Sequence, residues 1–329
     1  MKETDIIKKY IKFYESDKVI ARSLFPLTLK DYLKDQTDCY IKFLCKDDMP
    51  YDGYRELRIR PLEENLAKDI TKRICLWASL IDSPYHYLLY EAFRKQDWRA
   101  VNDAQYQYAK HELWKGYTYY DIRNALYLMA ANDFSLLDCN DSNGFSKAYH
   151  IVWTAPGNMM MGLYKHDDKA IRRGIAEAEK LLGQKTVGKW YKELSRFMLS
   201  LVHHDMMEAS RSLNAICEGY RYFMAEELPF EKLFCSLAHG FYNLAHKLLP
   251  AKEFALLEMP SHPSFIHEFA LWQRDNSYPV GKQALVYPDY SLRFMNEIIN
   301  LPVLPRDAPY ETLGKKWIEI YGKGIIGIE

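Results

Sequence analysis

The sequence predicts an all-α protein. It reads as stacked antiparallel helical hairpins, a helical-repeat solenoid of tetratricopeptide type, closed by an irregular Pro-rich C-terminal cap. Two observations predict this class. The first is one stretch, FMLSLVHHDMMEASRSLNAICEGYRY, from Phe197 to Tyr222. An apolar helix ends near His203 and His204, and Asp205 then stands where the next helix needs an N-cap. An Asp side chain can accept from the free N–H groups of the following turn, and Glu208 three residues on can reach back to the cap's own N–H. Two amphipathic helices joined this tightly must fold back on each other. The second observation is recurrence. Asp97, Asp133, Asp167 and Asp205 are spaced by 36, 34 and 38 residues. Each follows apolar residues four and eight positions earlier, which share one helix face. A period in the mid-thirties suits stacked helical hairpins. All four Asp are read as structural helix caps.

The elements follow in order. A first helix spans about 4–15, with Ile6, Ile7, Tyr10, Ile11 and Tyr14 on one face. A second runs through Leu27–Cys45, and Lys46–Gly53 is a loop punctuated by Pro and Gly. A long helix follows Pro61 through Leu80. Ser83 and Pro84 read as cap and first helical residue of the hairpin region. That region runs to about Ala225, interrupted by a polar loop at Leu137–Phe145, and Leu228–Pro229 ends its fourth unit. Glu231–Leu249 is a strongly apolar helix closed by Pro250. From Glu258 onward Pro recurs, so helices must be short: Phe265–Arg274, Asp289–Ile299 and Tyr310–Tyr321. This part is expected to cover the last hairpin, and the apolar tail Gly324–Ile328 to tuck against the body. The regions are 1–82, an N-terminal helical part; 83–257, the hairpin core; and 258–329, the cap. No low-complexity linker separates them, so they read as one continuous unit.

Composition narrows the function classes. Lys+Arg and Asp+Glu are equal at 44 each, which argues against non-specific nucleic-acid binding. No stretch of about 18 apolar residues predicts a membrane span. The N-terminus MKETDIIKKYIKFYE lacks the apolar region of a signal peptide. Cys39, Cys45, Cys75, Cys139, Cys217 and Cys235 form no C-x-x-C and no zinc-like spacing. They read as reduced thiols of a cytoplasmic protein, with Cys139 alone in a polar loop. The 26 Tyr suit core packing or a protein-binding face.

Chemistry-bearing motifs are sparse. No phosphate-binding Gly loop and no G-x-S-x-G occur. His166–Asp167 and His204–Asp205 are doublets of the kind metal-dependent phosphohydrolases use, and His150 and His246 could be nominated to complete a site. Capping explains the Asp of both doublets without a metal. No catalytic residue, metal or cofactor is therefore assigned. A helical metal-dependent hydrolase and a generic helical scaffold or regulator stand as alternatives to a protein-binding module. Candidate partner-binding residues are the acidic Asp138 and Asp141, in the longest internal loop, and Glu226 and Glu227, which close the fourth hairpin.

From Trp190 to Leu249 the chain carries a WYKELSRFMLSL helix, a short His-Asp turn, a long helix, and LFCSLAHGFYNLAHKLL; a Pro-bounded SHPSFIHEFALW segment follows. This arrangement resembles the helical core of bacterial immunity proteins from polymorphic toxin systems, especially the family numbered forty-nine. The resemblance implies a cytoplasmic protein that binds and neutralises a cognate secreted toxin domain, for instance a nuclease. It implies no catalytic residues, and it leaves the oligomeric state and the bound face open.

Overall fold

The computed structural model describes residues 3–16, 28–45, 78, 81–115, 121–145, 150–223, 230–288, 292 and 294–303. The expected loop 46–53, nearly all of the expected helix 61–80, Glu226, Glu227, Leu228–Pro229, the expected helix 310–321 and the tail 324–328 lie outside these residues. Among the described residues all regular structure is helical, in fourteen α-helices and one short 3-10 turn.

The helices are α1 (Glu3–Tyr14), α2 (Leu29–Cys45), α3 (Tyr85–Lys95), α4 (Trp98–Lys115), α5 (Ile122–Ala130), α6 (Ser135–Cys139) and α7 (Ile151–Lys165). There follow α8 (Asp168–Gly183), α9 (Lys189–Val202), α10 (Met206–Phe223), α11 (Ser236–Leu248), α12 (Ala251–Phe254), α13 (His267–Asp275) and α14 (Phe294–Asn300). Packed pairs recur along the chain, α3 with α4, α7 with α8 and α9 with α10. Where α7 meets α8 the backbones approach closely. A Cβ on Gly174 would fall 2.8 Å from the Met159 backbone nitrogen, so only Gly fits that crossing.

The four Asp turns share one geometry. Gln96, Asn132, His166 and His204 each take a left-handed conformation, with φ between 53° and 58°. The next residue is Asp each time. Its N–H returns to a carbonyl five residues back: Asp97 to Ala92, Asp133 to Leu128, Asp167 to Gly162 and Asp205 to Ser200. This is the Schellman closure of a helix end. The Asp side chain then accepts from the incoming helix or turn: from Ala100 N, Ser135 N, Lys169 and Ala170 N, and Glu208 N respectively. One dipeptide thus satisfies the last carbonyls of one helix and the first N–H groups of the next.

Several expectations are corrected. The second turn leads only into the five-residue α6, so Asp138 and Cys139 are helical and the polar loop begins at Asn140. The Asn140 side chain donates to Leu136 O and ends that helix early. Ser83 caps nothing: Pro84 occupies the N-cap position, and the buried Ser83 hydroxyl has no partner among the described residues. The expected helix Glu231–Leu249 breaks at Phe234 and Cys235, because Cys235 N donates to Ser264 O and extends the chain there. The Glu208 carboxylate does not complete a capping box at Asp205. The Asp205 N–H is already used by Ser200, and Glu208 turns to Arg211 instead.

The packing is not purely sequential. α11 lies against α5, far back in the chain, and the two backbones nearly touch at Gly240, where a Cβ would collide with Leu126 O. Within α5, Ile122, Ala125, Leu126, Leu128, Met129 and Ala130 are fully enclosed. The C-terminal segment was expected to cover the last hairpin. Residues 258–262 do follow α10, but most of the remainder crosses to α4. Asn102 donates to Pro279 O, Asp103 accepts from Lys282 N, Gln107 accepts from Ala284 and Leu285 N, and Lys110 donates to Leu301 O. These residues line one face of α4 that carries amides and charges instead of apolar groups. Burial pushes the Lys110 ammonium down to about 8.

His239 on α11 is fully buried, its ring stacked on Phe265 with centroids 4.1 Å apart. Its Nε2 accepts from Ile266 N at 3.2 Å, which requires the neutral ring. Burial, and then the nearby His267, push it down from 6.5 to about 3. In the unfolded chain the ring takes a proton below about 6.5, while in the folded chain it stays neutral, so stability is intact above that pH and falls below it. From neutrality to pH 5 this group should cost about 2 kcal/mol. Urea denaturation at the two pH values should show that loss, and His239→Gln, which keeps an acceptor for Ile266 N, should show markedly less.

Candidate interaction surface

The core stripe of α10 is Ala209, Leu213, Ile216, Cys217 and Tyr220. Its opposite side faces solvent and carries Met207 (83% exposed), Arg211, Glu218 and Tyr222 (67% exposed). Two large side chains therefore stand in solvent at the two ends of one helix, Tyr222 with its hydroxyl accepting from Arg221, where a purely solvated helix would carry charge alone.

A groove flanks each end. At the Asp205 end, the chain after α12 is laid alongside α10. Glu258 N donates to the Ser210 hydroxyl at 2.9 Å, and His262 N to Asn214 Oδ1 at 3.0 Å. Ser210 and Asn214 are four residues apart, so one face of the helix fastens the passing backbone. The space left over is about 780 Å³, bounded by Met206, Met207, Arg211 and Met259 with the exposed Leu256. At the other end a groove of about 660 Å³ lies between the start of α9 and the end of α10, lined by Trp190, Tyr191, Tyr222 and Phe223. Trp190 stacks on Phe223 with centroids 4.3 Å apart and donates from Nε1 to Ile216 O at 2.9 Å. Trp153 meets both rings edge-on, under the Arg123 guanidinium.

Charge orders the middle of this face. Arg211 bridges Glu193 on α9 at 3.0 Å and Glu208 on α10 at 2.6 Å, and Arg196 adds a second bond to Glu193. The guanidinium bond holds the Glu208 carboxyl below its usual range. The result is a rigid, mixed-charge centre between two apolar ends. That arrangement suits a protein partner, whose affinity comes from aromatic and apolar anchors set in a polar rim.

The residues singled out from the sequence lie elsewhere. Asp138 is exposed near the end of α6, where its carboxylate accepts from the Tyr164 hydroxyl at 2.6 Å and its carbonyl from Lys165 at 3.0 Å. It is tied to α7 and does not stand on a free loop. Asp141 is exposed and accepts from Asn143 N. Glu226 and Glu227 are outside the described residues. The His-Asp doublets stay apart. His204 pairs with Glu253 at 2.6 Å, and its neighbour Asp205 faces the backbone. His246 stacks on Tyr278, and His150 is the exposed residue before α7. No group of three or more His, Cys, Asp or Glu that could hold a metal is gathered among the described residues. Cys139 is half-buried, and burial raises its thiol to about 11, which disfavours a nucleophilic thiolate. Among the described residues no helix is long and apolar enough to cross a membrane.

Sequence reasoning passed over the α10 face. Its signal was available: Met207 and Tyr222 fall on the helix positions that otherwise hold Arg, Asn and Glu. No family model, curated protein or solved structure matches the chain.

Asp205→Ala should destabilise the protein by about 0.5–2 kcal/mol, because Glu208 N loses its acceptor. Asp205→Asn, which keeps an acceptor oxygen, should cost much less. Chemical denaturation of the two variants checks this, and equal losses would remove the cap from the account.

Proposed function

We propose that the protein is a cytoplasmic immunity protein, a helical binding module that captures a cognate toxin domain and neutralises it by contact. The observation that supports the binding class best is the outer face of α10, with exposed Met207 and Tyr222 at its ends and a groove beside each. The stretch that resembles immunity proteins, Trp190 to Leu249, runs through α9, α10 and α11, so it supplies most of this face. In this reading Tyr222, with the Arg221 guanidinium 4.6 Å from its ring centroid, is the aromatic anchor, and Met207 and Leu256 form the second contact. The exposed Asp138 and Asp141 would speed encounter with a basic toxin, such as a nuclease domain, more than they would add affinity.

This reading expects a secreted toxin domain encoded beside this gene, and the test uses that domain. Binding and protection of toxin-expressing cells are measured for the parent protein, Tyr222→Ala and Met207→Glu. Anchor loss should weaken binding by about 30-fold or more, as for a 2 kcal/mol hot spot, while thermal stability holds. Parent-like affinity in both variants would remove α10 as the face. No binding and no protection by the parent would remove the immunity reading. A stoichiometric bound metal lost in His204→Ala would favour the hydrolase instead.

A further inference from the structure

A partly open cavity lies where α1, α3, α4, α5, α10 and α11 meet. Its volume is about 130 Å³. Its walls are the side chains of Tyr10, Tyr85, Tyr108, Tyr127, Tyr220 and Phe234. The Tyr85 and Tyr108 rings are stacked at 4.2 Å, and Tyr127 meets Tyr108 edge-on at 5.1 Å. Burial drives all five phenols above their ordinary range; neighbouring phenols add to this at Tyr10, Tyr85, Tyr108 and Tyr220, whereas the Arg123 guanidinium and a bond with Tyr108 draw Tyr127 back. They stay protonated at any physiological pH, and their oxygens lie close enough to feel one another.

The ionisable pair of this chamber is Glu231 and His86, and among the described residues no Lys or Arg lines it. Glu231 does, with a side chain only 10% exposed, bonded to His86 Nε2 at 2.7 Å. The Glu231 carboxylate contributes to the raised values of Tyr10, Tyr85 and Tyr220, so it lies within electrostatic reach of three hydroxyls. Tyr85 is held by Gln105, which in turn accepts from Ser236, and Tyr10 reaches His86 at 3.3 Å. Tyr220 has no hydrogen-bond partner among the described residues, although it is 96% buried (4% exposed). That hydroxyl is open to a hydrogen bond from a molecule in the cavity.

We infer that this chamber is a binding site for a small organic ammonium ion. Aromatic rings, phenol oxygens and a carboxylate together favour a cation over an anion. The volume equals roughly four waters, at about 30 Å³ each, which is the size of a methylated or short-chain amine. The inference does not depend on the α10 face, which lies on other residues.

The test is a thermal-shift and calorimetric titration of the full chain with tetramethylammonium and with ethylammonium. Tert-butanol and ethanol serve as neutral counterparts of similar size. Saturable binding of at least one ammonium ion, with none for the alcohols, is the expected result. Glu231→Gln should weaken it by about tenfold or more, as for a lost charge-assisted contact. Tyr220→Phe removes a hydroxyl with no partner among the described residues, so it should fold like the parent. It should weaken ethylammonium, which can donate to that oxygen, more than tetramethylammonium, which cannot. Absence of saturable ammonium binding by the folded parent would overturn the inference and leave the chamber to water. Equal binding of alcohols and ammonium ions, or parent-like affinity in Glu231→Gln, would overturn it as well.

Discussion

The carbonyl groups at the end of α5 set the constraint on which the rest of the structure depends. A helix leaves its last carbonyls without intrahelical partners, and a buried one must find partners elsewhere or lose stability. α5 ends in the middle of the protein. The Met129 carbonyl accepts from Asn243 on α11 at 2.9 Å, Ala130 from Gln273 on α13 at 2.8 Å, and Ala131 from Gly281 N at 2.9 Å. Gln273 also donates to Asn102 on α4, and Asn243 to Gln273. Five parts of the chain thus meet at three carbonyl oxygens. Because the network is buried, each missing member would leave a polar group without water or partner, so the elements hold one mutual arrangement.

That arrangement explains the departure from a simple stack. A one-dimensional array needs only neighbour contacts. Here α11 must reach α5 to supply Asn243, and Gly240 lets the backbones close far enough for it. The C-terminal segment must pass over α4 to bring Gly281 and Pro279 to the same place. On its way it is laid beside α10 through Ser210 and Asn214, which builds one wall of the groove there. The surface proposed for partner binding is therefore a by-product of how the buried helix end is satisfied. The α9–α10 hairpin is stiffened from one side by this segment and from the other by Trp190.

What could be read from the sequence was what local chemistry dictates. The helical class follows from apolar periodicity. Asp at a turn acts on N–H groups two or three residues away, so position and role are both local. The residue before each Asp carried equal information: Gln96, Asn132, His166 and His204 are polar, and each takes the left-handed conformation that closes the preceding helix. The doublets His166–Asp167 and His204–Asp205, read as caps with metal ligation only the alternative, carry this backbone role. Long-range pairing was not legible. Asn102, Gln107, Lys110, Asn243 and Gln273 stand out as polar residues among apolar ones, but nothing local says that they share partners across more than a hundred residues. The Tyr-lined chamber was hidden for the same reason, since its five tyrosines come from five helices. The acidic residues were chosen because charge is visible in a sequence, whereas exposure of Met207 and Tyr222 emerges only once the helix faces are fixed.

Native-state hydrogen exchange, resolved by residue, tests the central claim most directly, since it reports the free energy at which each part opens. Amides of α5 from Leu126 to Ala130 should exchange only through global unfolding, together with the core amides of α11. The turn at His203–Asp205 should open at lower energy. Gln273→Leu should bring α5 and the C-terminal segment down together. Exchange of the α5 amides by a local opening as easy as that of the turn, with α11 still protected, would contradict the account.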